Sequence, residues 1–454
     1  MPSDTRYVAL SHTWGVKEER VKAMPLLLTQ NLSAQQLNIP WHELTQTFQD
    51  AIMIARNIGI PYVWIDSLCI VQDDHEDWAR EASRMAAVYK HAYLVIAATS
   101  SKNGDDGCLR ARGPSHDVVD SANGSFHVQR QINHRSLVEW QAEGIDMPLL
   151  GRAWCFQERL LASRVLHYTE REMMWECQEE LWCECQTIKL GHPSAVEPET
   201  FKLAHAIAAV SINPRIRAES WNKVVRRYSQ RALTFGTDRL PGISGIAREL
   251  ALPALGKYLA GLWEYQLPQA LLWESTGKVI DRPSQYLAPT WSWASIVTAV
   301  VPFEPGTMVN SIDSVCRVVD ITCTPNTSDL YGHVRDGQLK IFGPSIAATL
   351  KCTDRGYKST RYDVTLEIPN TEVPGRPSAV YMTSDIELLE DTVTVVILLI
   401  HVRHSTTETW AEGMAEGLAL IQSQMHAGCW ERIGIIYAWD LDLSRMKESE
   451  FVIV

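Results

Sequence analysis

Apolar positions in the first hundred residues alternate between short unbroken β-rich runs and helical stripes, the pattern of a parallel sheet covered by helices. Residues 6–10 (RYVAL) predict a buried strand. Between residues 47 and 58, Phe48, Ala51, Ile52, Ala55 and Ile58 share one helical face, and Gly59 supplies a stop. Residues 62–68 (YVWIDSL) predict a second strand. A helix follows over 76–91, with Trp78, Ala82, Met85 and Tyr89 on one face, and residues 93–98 (YLVIAA) predict a third strand. In a βαβαβ order with right-handed crossovers, functional loops lie at the carboxyl ends of the strands, here after Leu10 and Leu68.

From residue 100 to about 147 the periodicity is lost and Gly, Asp, Ser and His accumulate, as in a long excursion or lid. A helix returns over 151–166 (GRAWCFQERLLASRVL), and a Trp- and Cys-rich segment runs to Cys185. A second unit is expected from about Phe201: helical over 221–248, then, beyond Pro283, short alternating runs such as QLKIFG, DVTLEI, SAVYMTS and TVTVVILLIHV. These predict an antiparallel β unit. The expected division is an α/β domain over 1–190, a helical connecting region over 200–280 and a β-rich unit over 283–454. A chain of 454 residues exceeds the size at which a single core usually stops growing.

Composition narrows the function classes. With 46% hydrophobic and 21% charged residues and no long apolar run, the chain reads as soluble, with no membrane partner. The start, MPSDTRYVAL, has no secretory leader, so a cytoplasmic location is expected. A net charge of -12 without a dense Lys/Arg cluster opposes a nucleic-acid partner. Ten scattered Cys read as reduced, mostly buried thiols, and sixteen Trp predict aromatic cores and pocket walls.

Ser11, His12 and Trp14 follow the first strand, where an open α/β sheet meets its ligand; they either contact a substrate or satisfy loop backbone. Asp66 interrupts an apolar run, so its carboxylate needs a partner, in a site or in a structural pair. Ser67 and Cys69 flank it. Cys69 is a nucleophile only with a base beside it and otherwise a buried inert thiol. Glu81 lies on the flank of the apolar stripe of its helix, either lining a cleft or pairing with Arg84 or Lys90.

Trp154, Gln157, Glu158 and Leu161 share a helical face on which two polar groups sit between large apolar ones. Either Glu158 is tied to Arg152 or Arg159, or this face closes over a polar pocket. Cys177, Cys183 and Cys185, with His167 and His192, are spaced C-x5-C-x-C without paired CxxC knuckles, so no metal site is expected. GxGxxG, Walker, GxSxG and HExxH motifs do not occur.

Three blocks together resemble the fungal heterokaryon-incompatibility (HET) family: YVALSHTWG at Tyr7–Gly15, the run from Ile58 to Ala98 (IGIPYVWIDSLCIVQDDHEDWAREASRMAAVYKHAYLVIAA), and GRAWCFQERLLASRVLHY at Gly151–Tyr168. Later stretches, including APTWSWAS at Ala288–Ser295, are similar to the region that follows the domain in many members. Members usually carry further sequence before the first block, and the chain departs from the pattern there.

The resemblance implies a TIR/flavodoxin-like α/β domain acting in non-self recognition and cell death, with other proteins of that pathway or a second copy of the chain as partners. Through a distant similarity to TIR domains it implies NAD+ glycohydrolase chemistry, with NAD+ as a candidate substrate and no bound cofactor. Glu81 or Glu158 would stabilise the ribose oxocarbenium charge, and Trp14 or Trp154 would stack a ring. The residues themselves equally fit a small-molecule cyclase, isomerase or hydrolase in which His12, Asp66, Cys69 and Glu158 move protons or bonds and Ser11, Trp14, Ser67, Arg152, Trp154 and Gln157 bind substrate. A third expectation is a non-catalytic oligomerising module.

Overall fold

The computed structural model describes residues 5–15, 24–111, 116–121, 124–129, 134, 147–186, 188, 201–276, 282–304, 311–355, 360–366, 380–388, 390, 392–404, 414–439 and 443–454. His192 and much of 112–146 therefore lie outside the described residues. The chain packs as two compact units: Met1–Val210 with Arg231–Leu233 and Gly242–Glu249, and the remaining residues to Val454. No helix among the described residues is long and apolar enough to cross a membrane.

In the first unit β1 (Tyr7–Ser11), β2 (Tyr62–Trp64) and β3 (Leu94–Ala97) run parallel in the order β2-β1-β3. Helix α1 (Leu32–Leu37) precedes α2 (Gln46–Asn57), which buries Phe48, Ala51, Ile54 and Ala55 against the sheet. Ile52 is only partly buried and Ile58 faces out. Gly59 ends α2 at φ +72, the left-handed conformation that favours glycine at a helix stop. A charged residue on the buried face, Asp50, accepts the backbone N–H groups of Cys108 (2.7 Å) and Leu109 (2.9 Å) and thereby anchors the loop after β3. Helix α4 (His75–His91) starts at Asp74, whose carboxylate accepts from the N–H groups of Glu76 and Asp77. It buries Ala82, Met85, Ala86 and Tyr89.

Two expectations need correction. The sheet is mixed, not parallel throughout. After a hairpin of β4 (His116–Ser121) and β5 (Gly124–Gln129), β6 (Arg164–Tyr168) joins β3 in parallel, but β7 (Met173–Cys177) and β8 (Leu181–Cys183) continue it antiparallel. The Trp- and Cys-rich segment supplies these two strands, because its connections are too short for a parallel crossover. The predicted strand over 62–68 stops at Trp64, and residues Asp66–Cys69 form a helical turn, α3. The ionised side chain cannot continue into an apolar sheet layer; it turns back and accepts the N–H of Ser67 (2.7 Å).

In the second unit the antiparallel expectation holds, and the sheet closes on itself. Val334–Arg355 pairs with Thr360–Leu366 and Thr392–His404, and the circuit returns through Val380–Ser384, Trp430–Trp439 and Met414–Gln422. Closure leaves these six strands no free edge within the ring. Val395, Ile397 and Leu399, at every second position, share a core with Ile346, Leu350, Met382, Ile433 and Ile436. Five of the sixteen Trp, at positions 221, 263, 273, 291 and 293, are fully buried in this unit.

Arg432 is buried beside one of them, with its guanidinium 3.5 Å from the Trp273 ring centroid. It makes a two-point pair with Asp385 (2.8 and 3.1 Å) and donates to the carbonyls of Leu271 and Trp273. Removing one partner of a buried ion pair leaves an uncompensated charge. Arg432→Ala is therefore expected to destabilise this unit by about 3–5 kcal/mol, measured as the midpoint shift of denaturant unfolding followed by Trp fluorescence; a loss of under about 1 kcal/mol would show the pair to be incidental.

Candidate functional site

The carboxyl ends of β1 and β2 meet the first two turns of helix α5 (Ala153–Leu161). Ser11 is the last residue of β1, held by its register with Ala97 and by its carbonyl, which accepts the N–H of Ala98 (2.9 Å). Its hydroxyl and that of Tyr89, from α4, lie within hydrogen-bonding reach of the Glu158 carboxyl. Tyr89 also donates to the carbonyl of Leu10 (3.0 Å), which fixes its phenol under the end of β1.

Glu158 is 5% exposed and its Oε2 has no hydrogen-bond partner among the described residues. Burial raises its carboxyl from 4.5 to about 7, and the charge of Asp66 adds to the rise; the Ser11 hydroxyl, the Arg152 cation and the Tyr89 hydroxyl oppose it. Cys155, one turn earlier, is buried, and its thiol is pushed well up by burial and by the charge of Glu158.

His12 follows Ser11 and packs edge-on against Phe48, with ring centroids 5.1 Å apart. Its Nδ1 stands 3.8 Å from Asp66 Oδ1, and its Nε2 has no partner among the described residues. Burial pulls it down to about 4, the Asp66 charge opposing and the Arg152 charge adding, so the imidazole is neutral at pH 7. Arg152 donates from Nη1 to the carbonyl of His12 (2.7 Å), tying the start of α5 to the loop after β1. Asp66 is 21% exposed at its side chain and accepts Trp14 Nε1 at 2.9 Å on Oδ2. Ser67 Oγ and Thr13 Oγ1 are buried and, like Glu158 Oε2 and His12 Nε2, have no partner among the described residues.

The structure thus brings Ser11, His12, Trp14, Asp66, Ser67, Arg152 and Glu158 to one end of the sheet, together with Tyr89 and Cys155. The last two were missed as site residues. Tyr89 reads as one more member of an apolar stripe, and the available signal was that a buried phenol needs a partner for its hydroxyl. Arg159, one of the two partners foreseen for Glu158, instead binds Glu176 at two points (2.7 and 3.0 Å), on a strand the sequence did not disclose. That pair is completed by His167, and Lys202 donates to the carbonyl of Arg159 (2.6 Å). Burial alone would raise Glu176, but Arg159, His167 and Lys202 hold it well below the carboxylate range.

Other candidates stand apart. Gln157 is buried, but its Oε1 accepts the N–H of Gly245 (2.8 Å), a structural duty. Glu81 is 20% exposed and pairs with Arg84 (3.1 Å) and Arg80 (3.5 Å). Trp154 meets Trp78 edge-on, with centroids 6.4 Å apart. Cys69 is an exposed residue whose thiol is shifted up, first by desolvation, with the charges of Asp66 and Glu81 adding. An upward shift opposes the thiolate a nucleophile needs.

The buried carboxyl has a measurable thermodynamic signature. Because its folded value lies above the ordinary one, the folded state holds the proton more tightly. The associated stability is complete below about pH 4.5 and is lost as pH rises through about 7. His12, with a lowered folded value of about 4, gives the opposite slope over much of that window, since its unfolded form takes up a proton first. Stability curves of wild type alone therefore conceal both groups. In Glu158→Gln only the carboxyl contribution disappears, so the stability of the variant relative to wild type should climb by about 1.4 kcal/mol per pH unit between about pH 4.5 and 7, about 3 kcal/mol in all. Urea titrations at a series of pH values measure it, and a pH-independent difference would place the carboxyl in an ordinary solvated setting.

Among known proteins, the family described as Heterokaryon incompatibility protein (HET) matches residues 7–158, an interval that opens on β1 and closes on Glu158. No curated protein and no solved structure matches the chain. Residues 7–158 of the chain therefore form a heterokaryon incompatibility (HET) domain.

Proposed function

We propose that the HET domain is an acid–base enzyme acting on a small polar metabolite, as a cyclase, isomerase or hydrolase, with Glu158 giving and taking the proton. The observation that carries this reading is the Glu158 carboxyl itself, buried, raised to about 7, and with one oxygen unpartnered among the described residues. Both of its protonation states are populated at neutral pH, the condition under which a general acid or base works best. The Ser11 hydroxyl and the Arg152 guanidinium supply a donor and a positive charge beside it, suited to an oxygen that gains negative charge in the transition state. Neutral His12 offers a second group able to accept a proton. Burial holds the proton on Glu158, and the charge of Asp66, fixed by Trp14 and the Ser67 N–H, adds to that effect.

A second reading is NAD+ glycohydrolysis, which rests on the TIR resemblance and is favoured by one arrangement: the partly exposed Asp66 carboxylate is tied to the Trp14 indole at the strand ends, near Glu158. There an ionised carboxylate would face the cationic ribose as nicotinamide leaves. Glu158 takes that role more readily than Glu81, which already pairs with two arginines. The two readings differ in sign with pH. A Glu158 acid loses rate as pH rises through about 7, whereas charge stabilisation by ionised Glu158 gains it.

Purified wild type and Glu158→Gln, each incubated with a metabolite extract and separately with NAD+, are to be compared by mass spectrometry. The acid–base reading expects substrate depletion and matching product with wild type, reduced about 10²- to 10⁴-fold in the variant. Nicotinamide release from NAD+ would select the second reading. Extract and NAD+ both left unchanged by the folded wild type would sink catalysis at this site and leave the oligomerising module.

A further inference from the structure

Beyond the Glu158 site, and independent of it, the edge of the first sheet gathers four side chains with metal-ligating atoms. His134, Glu172, Cys183 and Cys185 are all buried, and their ligand atoms lie within 4.8 Å of one another. We propose that these two cysteines, the histidine and the glutamate together bind one Zn²⁺ ion in a closed, structural site.

The local fold presents the donors for this purpose. Cys183 ends β8, opposite Met174 in the register of β7, and Glu172 immediately precedes β7, so two donors arrive from adjacent strands. A tight turn then closes from the N–H of Gln186 to the carbonyl of Cys183 (3.0 Å), with Gln186 at φ +59. That turn brings Cys185 back beside Cys183, with the sulfurs 3.2 Å apart. His134 Nε2 stands 3.5 Å from Cys185 Sγ and contacts Glu172 Oε1. Tetrahedral zinc with Zn–S of about 2.3 Å and Zn–N of about 2.0 Å places sulfur and nitrogen ligands about 3.5 Å apart.

The surrounding hydrogen bonds are those of a ligand shell. The second carboxylate oxygen of Glu172 accepts the backbone N–H of Cys185 (2.9 Å), and Cys183 Sγ accepts the N–H of Ile188 (3.5 Å). Such bonds orient carboxylate ligands and disperse the charge of thiolates. Two sulfurs with an imidazole select zinc over magnesium or calcium, and four protein ligands in a buried setting leave no open coordination position. Leu150, Met174, Met147, Leu181 and Ile188 pack around the cysteines and shield the site.

The C-x5-C-x-C spacing hides this arrangement, because two of the four donors are not Cys and one of them, His134, lies 51 positions from Cys185. Cys177 receives the N–H groups of Glu179 and Glu180 (3.4 and 3.2 Å), and His167 belongs to the Glu176 pair. Of the residues weighed from sequence, Cys183 and Cys185 belong to the proposed site, and His134 and Glu172 were not considered.

The full chain, purified under reducing conditions without chelator and loaded with zinc, is to be analysed by plasma mass spectrometry and X-ray absorption. The expected result is one zinc per chain, with a first shell of two sulfurs at about 2.3 Å and two nitrogen or oxygen ligands at about 2.0 Å. Cys183→Ser and Cys185→Ser should lose most of the metal while Cys177→Ser keeps it. If the serine variants do not fold, the absorption spectrum of the wild type, and the visible spectrum after exchange to Co²⁺, decide alone. Folded, reduced wild type that binds no zinc, a first shell without sulfur, or a Cys183–Cys185 disulfide in peptide mapping would overturn the proposal.

Discussion

The central constraint on the HET domain's candidate site is a carboxyl that folding removes from water without giving it an ion-pair partner among the described residues. Glu158 sits under the end of β1, where Ser11 and Tyr89 offer only hydroxyls and Arg152 is already committed to the carbonyl of His12. Ionising it there costs desolvation that the neighbourhood does not repay, so the proton stays until neutral pH. The β1 end supplies the hydroxyl, α4 supplies Tyr89, and the start of α5 is pinned by Arg152 so that Glu158, two turns in, meets both.

Glu158 and Arg159 are adjacent on one helix, yet Arg159 makes a two-point buried ion pair with Glu176, which His167 also contacts, while Glu158 has only hydroxyls and a nearby charge beside it. One side of α5 is built for stability and the other keeps a labile proton. Buried ionisable groups of both kinds occur in proteins, and the incompletely satisfied kind is the stronger candidate for proton exchange with a ligand.

Much of the first sheet was legible because its strands and helices are periodic: the stripe of α4 and the runs at β1 and β3 need only side-chain spacing to be read. Of the loops named from that pattern, after Leu10 and after Leu68, the first holds Ser11 and His12, whereas Asp66, read as part of a strand over 62–68, lies in the helical turn before the second. What could not be read depends on pairing between distant segments. Nothing local in MMWEC or LWC marks them as antiparallel additions to a parallel sheet, and the choice of Arg159 for Glu176 follows from that addition. Asp66 was legible as a charge in need of a partner, but not as the residue that ends the strand. Tyr89 was visible only as a core residue, and the buried quartet of potential metal donors at the sheet edge was concealed by the separation of 38 positions between His134 and Glu172. In the second unit the alternating runs predicted the antiparallel strands. Closure of the ring depends on which strands meet, and alternation does not encode that.

Whether Glu158 holds its proton up to neutral pH decides the chemistry of the site, and infrared difference spectroscopy observes that proton without reference to any substrate. The protonated-carboxyl stretch of wild type, compared with Glu158→Gln across pH 5 to 9, should show one buried carboxyl that loses its proton near pH 7. A Glu158 band that titrates instead in the ordinary carboxylate range, near pH 4 to 5, would contradict the central claim and remove the basis for acid–base chemistry at this site.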